Sequence, residues 1–125
     1  MSIKKEDYVL HSVRGANTCL DNTSKSIEIA VEELLIELFS RNNLVNNQIL
    51  SITFSVTKDL DACFPAAIAR KKMNLGDVSI LDCQQMHVKD DLKRCIRLLA
   101  HVWLIKEQIP KHTYLGDALK LRPDR

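Results

Sequence analysis

The alternation of apolar and polar residues near the start of the chain predicts a strand followed by a helix. Residues 8–13 form a β-branched and aromatic run, which is typical of a strand, and residues 14–17 are interpreted as the turn that ends it. Apolar residues then recur at helical spacing, which predicts a helix from about Ser24 to Arg41. Asn22, Thr23 and Ser24 are candidates for its N-cap, and residues 42–43 can end it.

The middle of the chain repeats the order strand, turn and helix. Residues 48–56 alternate apolar and polar side chains, which predicts a half-buried strand. Residues 64–70 predict a short helix with Pro65 in its first turn, where the missing N–H costs little. Residues 78–81 predict a third strand. Polar residues 82–85 follow it directly, and such a strand end is a natural place to line a pocket.

The pattern near the end of the chain is ambiguous. Apolar positions within residues 92–105 fit one face of a helix, so periodicity alone favours helix there. Residues 112–115 predict a short strand before Gly116. The whole pattern indicates a mixed α/β protein.

Composition limits the class of protein. The chain of 125 residues fits one domain over residues 1–125, and its 18 basic and 16 acidic residues leave a net charge of +2, too small to indicate a nucleic-acid partner. The four cysteines form no C-x-x-C pair, which favours reduced thiols in the cytoplasm. We find no membrane-spanning run and no signal peptide. The four histidines have no ligand spacing, so we expect no metal.

Candidate chemistry is concentrated in arginines. No nucleophilic triad, phosphate-binding loop or zinc-protease helix is present. Arg14 is expected at a strand end, Arg70 closes the predicted short helix, Arg97 lies in the ambiguous apolar run and Arg122 precedes a proline. Guanidinium groups bind carboxylates through two parallel hydrogen bonds, so these residues point to a site for an anion.

Six short segments along the chain carry a family resemblance. They are Val13-Arg14-Gly15-Ala16, Asp59-Leu60-Asp61-Ala62-Cys63-Phe64-Pro65-Ala66, Gln84-Gln85-Met86-His87-Val88, Leu92-Lys93-Arg94-Cys95-Ile96-Arg97, Tyr114-Leu115 and Leu121-Arg122-Pro123-Asp124. In this order, and over residues 11–124, they resemble the small trimeric class of chorismate mutase.

The resemblance implies a fold and an assembly. It implies a mixed β-sheet packed with helices, a pseudo-α/β-barrel homotrimer, and active sites at subunit interfaces. It also implies that the ambiguous segment around Arg97 is a strand, because tertiary context can overrule local pattern. We adopt the strand as the expectation.

The implied activity is the Claisen rearrangement of chorismate to prephenate in the synthesis of phenylalanine and tyrosine, with no cofactor. Arg97 matches the family's central arginine, which would hold the compact conformer and donate to the ether oxygen as it becomes negative. Arg14 and Tyr114 are expected to position the substrate carboxylates. The resemblance gives weaker support for six further residues. Apolar wall positions are matched by Phe64, Ala66, Leu81 and Leu121, and positions near the pocket entrance by Arg70 and Arg122. Where the family often has a lysine, this chain has Ala67.

The main departure from the family concerns its catalytic acid. The usual glutamate is replaced by Gln85, and the usual cysteine three positions earlier is replaced by Asp82. Side chains three apart in a regular strand face opposite sides, but both can face a pocket where the strand ends. We therefore expect Asp82 to supply the acid and Gln85 a neutral hydrogen bond.

Two other hypotheses remain at this point. The first is a catalytically altered trimeric binding module that keeps the arginine-lined interface pocket, and the substitutions at Asp82 and Gln85 are what support it. The second, a purely structural oligomer, ranks last because buried arginines without an anion are costly.

Overall fold

The computed structural model describes residues 5–121, which form one five-stranded mixed sheet and two α-helices. The elements are β1 (Tyr8–Thr18), α1 (Ser24–Asn42), β2 (Ile49–Val56), α2 (Pro65–Lys72), β3 (Ser79–Gln84), β4 (Cys95–Ile105) and β5 (Thr113–Tyr114). The strand order is β3-β2-β4-β1-β5, with β4 antiparallel to both of its neighbours and the two edge strands parallel to theirs. The predicted mixed α/β class is confirmed.

Both helices pack on one face of the sheet. Alternate residues of the central strands, such as Phe54 on β2 and Leu98 on β4, are buried together with Leu34 and Leu38 of α1. Ala66 and Ala69 bring α2 into the same core. Burying one apolar face of a sheet under amphipathic helices is the main source of stability in such a layered fold.

Helix α1 begins and ends where capping residues were predicted. The Thr23 side chain is the N-cap and accepts the backbone N–H of Ser26 at 3.1 Å. Asn43 ends the helix in the left-handed conformation, with φ of 51°, which asparagine tolerates better than most residues. The Pro65 prediction is also confirmed, because this residue occupies the first turn of α2.

Two predicted strand ends were wrong. Residues 14–17 are not a turn, because β1 pairs with β4 without interruption as far as Thr18, opposite Cys95, and with β5 on its other edge. Gly15 is there for close packing, since a Cβ at this position would lie 2.9 Å from the Thr113 carbonyl oxygen. Strand β3 likewise continues through Asp82 to Gln84, so Asp82 lies inside the strand.

The ambiguous segment is a strand, as the resemblance implied. Strand β4 is central and pairs with β1 on one edge and β2 on the other. Its even-numbered residues, from Ile96 to Leu104, are buried against the helices, while Arg97, Leu99 and their odd-numbered neighbours face the opposite side. Helical periodicity was misleading here because apolar residues lie on both faces of the strand.

The face of the sheet opposite the helices carries exposed apolar side chains. They include Leu10, Leu81, Leu99 and Ile105, with exposed fractions of 42%, 63%, 40% and 50%. Large apolar side chains exposed together on one face of a sheet are typical of an interaction site. Among residues 5–121, no helix is both long and apolar enough to cross a lipid bilayer.

Candidate active site

Four of the predicted site residues meet on the face of the sheet opposite the helices. Arg97 on β4, Arg14 on β1, Tyr114 on β5 and Leu121 line one cavity of about 360 Å³. We call it the Arg97 pocket. Its other lining residues are Gly15, Thr53, Ser55, Leu98 and Leu99. Two guanidinium groups and a phenol therefore converge on a cavity large enough for a small molecule.

Strand register places Arg97 at the centre of this group. Arg97 lies opposite Ala16 of β1 and Ser55 of β2, so small side chains flank it on both sides. One terminal nitrogen, Nη2, lies 3.4 Å from an Asp91 carboxylate oxygen. Its Nε is buried and has no hydrogen-bond partner among residues 5–121. The guanidinium of Arg97 therefore has N–H groups left to donate to an anionic ligand.

Arg97 also lies beside a buried thiol. Burial raises the pKa of Cys95, and the neighbouring guanidinium of Arg97 opposes that rise through its charge and a hydrogen bond. Because the shift remains upward, the thiol stays protonated at neutral pH. Cys95 therefore acts as a packing residue beneath the guanidinium.

Tyr114 is held by the short strand β5 and a small apolar cluster. Tyr114 pairs with Ala16 of β1 and is 7% exposed. It packs with Ala16, Cys95 and Ala118, a cluster separate from the main core. Asn42 anchors the preceding loop by donating to the Lys111 carbonyl at 2.9 Å and accepting its N–H at 2.7 Å. These contacts fix where the Tyr114 side chain enters the pocket.

Gln85 and Asp91 lie in a neighbouring cavity of about 380 Å³. The Gln85 amide donates to Asp91 Oδ2 at 2.9 Å, the oxygen that also contacts Arg97. Oδ1 of the same carboxylate accepts the Leu92 N–H at 2.8 Å. The carboxylate thus lies where this cavity meets the Arg97 pocket. No group of three His, Cys, Asp or Glu side chains within residues 5–121 is arranged to hold a metal.

Asp82 lies elsewhere, on the face of the sheet that carries the helices. It pairs with Phe54, a core residue, and its carboxylate accepts the Ala66 N–H at the start of α2, with N···O distances of 3.0 and 3.3 Å. Burial raises its pKa, while the Ala66 hydrogen bond and the charge of Arg70 oppose the rise. Asp82 shares a cavity of about 670 Å³ with Phe64, not with Arg97.

Comparison with known proteins identifies the family. The model of type I chorismate mutase matches residues 10–125. The chain belongs to this family. It is 33% identical over 119 residues to "Chorismate mutase AroH" of Thermus thermophilus, covering 93% of this chain and 96% of that protein. It is 31% identical over 118 residues to "Chorismate mutase AroH" of Bacillus subtilis (strain 168), covering 93% and 92%.

A solved structure shows the same fold. A chorismate mutase from Clostridium thermocellum is 38% identical and has a TM-score of 0.81, covering 86% of this chain and 96% of that one. The family resemblance inferred from six short segments is therefore confirmed.

The residues expected from the family resemblance separate into three places within one chain, with Gln85 in the cavity that it shares with Asp91. Arg14, Arg97, Tyr114 and Leu121 share the Arg97 pocket. The second group lies on helix α2, its N-cap and strand β3, and consists of Phe64, Ala66, Arg70, Leu81 and Asp82. Phe64 is 70% exposed, whereas Ala66 is buried and offers its backbone N–H. Arg122 lies outside the described residues.

Sequence reasoning missed Asp91 as a site residue. It lies in the polar segment before β4, and no spacing distinguishes it from Asp90 beside it. Its contact with Arg97 depends on how this loop folds back beside Gln85. Asp91 is six positions along the chain from each of these partners, a spacing that matches no regular helix or strand contact.

Proposed function

We propose that the chain converts chorismate to prephenate, the step that leads to phenylalanine and tyrosine. The observation that carries this proposal is Arg97, half-exposed in a cavity with Arg14 and Tyr114 in a chain of the chorismate mutase family. The substrate carries two carboxylates, and guanidinium forks are the side chains that bind such groups best.

The rearrangement breaks one C–O bond and forms one C–C bond within a single molecule. No proton or electron leaves the substrate, so catalysis requires the compact conformer and stabilisation of the separating charge. Arg97 donates to the ether oxygen as it becomes negative, a contact stronger in the transition state than in the ground state. Arg14 and Tyr114 hold carboxylates, and Leu121 closes an apolar wall.

We further propose that the working enzyme is a homotrimer with sites between subunits. Two observations support it. The sheet presents apolar side chains that include Leu81 and Leu99. Arg97 and Arg14 line one cavity of the chain, whereas Phe64 and Asp82 line another. In an assembly, Phe64, Arg70, Leu81 and Asp82 of one copy complete the pocket of another. Asp82 reaches Arg97 only in this way, since within one chain they face opposite sides of the sheet.

Two further proposals concern the cellular compartment of the protein and the entrance to its site. Four free thiols support the cytoplasm as the compartment. Ala67, which is exposed at the first turn of α2, leaves a cationic contact missing near the mouth of the site. We therefore expect weaker binding of the dianion than in relatives that have lysine there.

Turnover distinguishes this proposal from a binding module. Purified protein is mixed with chorismate, and loss of diene absorbance is followed together with prephenate formation. We expect turnover, and a mass in light scattering of three times the 14.3 kDa chain. Saturable chorismate binding with no prephenate would favour the module instead. A mass of a single chain would refute the interfacial site.

A further inference from the structure

Asp91 joins two functional side chains through one carboxylate oxygen. Its Oδ2 accepts the Gln85 amide at 2.9 Å and lies 3.4 Å from Arg97 Nη2. Its Oδ1 is fixed by the adjacent Leu92 N–H at 2.8 Å. Because both oxygens are engaged, the carboxylate cannot rotate freely, and its contact with Arg97 has a defined direction.

The contact leaves Arg97 available to a ligand. Only one nitrogen of the guanidinium is involved, and the exposed side-chain fractions of Arg97 and Asp91 are 37% and 27%. A half-exposed ion pair of this kind adds little to stability. Its effect is on orientation and charge: the Asp91 charge is felt as far as the Cys95 thiol, whose pKa it helps to raise. The Asp91 charge therefore acts on side chains next to Arg97.

The positive charge that develops on the substrate ring is stabilised by a negative group at the site. As the C–O bond breaks, the departing oxygen gains negative charge and the ring gains positive charge, with no atom or electron leaving the substrate. Arg97 meets the first charge, but Gln85 is neutral and cannot meet the second. Within residues 5–121, Asp91 is the acidic residue that pairs with Arg97.

We propose that Asp91 is a positioning residue for the rearrangement, which orients the Arg97 guanidinium and places a full negative charge beside it, with Gln85 as its anchor. The inference rests on the proposed function. Asp91 is an alternative to Asp82 as the carboxylate of the site, and its contacts with Gln85 and Arg97 both form within a single chain. Asp82 instead uses its carboxylate on the Ala66 N–H.

The test exchanges acid and amide within the cluster. Asp91→Asn removes the charge, and adding Gln85→Glu restores one carboxylate while keeping an amide as its donor. For Asp91→Asn we expect kcat to fall about 100-fold without a rise in KM, because orientation is lost while the binding cations remain. The double variant should recover most of that loss. Asp90→Asn is the matched control: Asp90 is an exposed neighbour at φ 65°, where asparagine fits equally well.

Each outcome decides the matter. Wild-type protein without turnover refutes the proposed function and, with it, the positioning role of Asp91. With wild-type turnover established, unchanged kcat in Asp91→Asn overturns the inference, and so does a double variant no faster than the single one. A large loss in Asp82→Asn with none in Asp91→Asn assigns the carboxylate to Asp82. Equal melting temperatures of Asp91→Asn and Asp90→Asn show that any loss is not a folding defect.

Discussion

Gly15 is the position where a single methyl group should disturb both the fold and the pocket. It lies in β1 between β4 and β5, under helix α1. A Cβ there would lie 2.9 Å from the Thr113 carbonyl oxygen and 3.0 Å from Leu34 Cδ1. The leucine tip can move slightly, but the carbonyl belongs to β5 and is fixed by strand pairing. Gly15→Ala must therefore push β5 outward.

The expected cost follows from two opposing effects. Overpacking a well-filled site costs about 1–3 kcal/mol. Replacing glycine reduces the entropy of the unfolded chain and returns about 0.4–1 kcal/mol. The net effect is a loss of about 1–2 kcal/mol in the free energy of unfolding. Since Thr113 precedes Tyr114, the same displacement moves the phenol, and kcat/KM should fall at temperatures where the variant is folded.

Urea unfolding followed by fluorescence of Trp103, the single tryptophan, measures the stability change. Gly76→Ala is the matched control, because a Cβ at Gly76 has nothing within 4 Å among the described residues. We expect that variant to be unchanged or up to about 1 kcal/mol more stable. If Gly15→Ala is as stable and active as Gly76→Ala, the close packing of β5 on β1 is not what positions Tyr114.

Three further predictions concern the site and its supports. Arg97→Lys should lower kcat/KM by about 100-fold or more, since a point charge cannot reproduce the fork, and steady-state turnover of chorismate measures it. Asn42→Ala should cost about 1–3 kcal/mol in urea unfolding, because the Lys111 N–H and carbonyl lose their partner. The pKa of Asp82 is raised in the folded state, so its contribution to stability declines as pH rises from about 4. The stability of Asp82→Asn relative to wild type in urea unfolding should therefore rise between pH 4 and pH 7, and a constant difference would contradict the burial argument.

Helix α1 shows what the sequence predicts well. Its apolar spacing, the Thr23 cap and the Asn43 end are local features, and the structure has all three. Strand β4 shows the opposite case. Its pattern favours helix, and only pairing with β1 and β2, distant in sequence, makes it a strand. The turn predicted at residues 14–17 was wrong for the same reason, because Gly15 allows close packing within a continuous strand and does not reverse the chain.

The candidate site shows the same division. Arg97, Arg14 and Tyr114 were expected from the family resemblance, and β1, β4 and β5 bring them together. Asp91 could not be predicted because its contacts with Gln85 and Arg97 arise from a loop fold with no repeating spacing. The role expected of Asp82 stays a prediction, since it depends on a second copy of the chain.

The role of Arg97 is tested most directly by a crystal structure with a stable dicarboxylate that mimics the compact transition state. We expect the ligand in the Arg97 pocket, with the guanidinium on its ether oxygen and one carboxylate, and with Arg14 and Tyr114 in contact. A ligand bound elsewhere, or an Arg97 side chain that contacts Asp91 alone while the ligand is bound, would contradict this role.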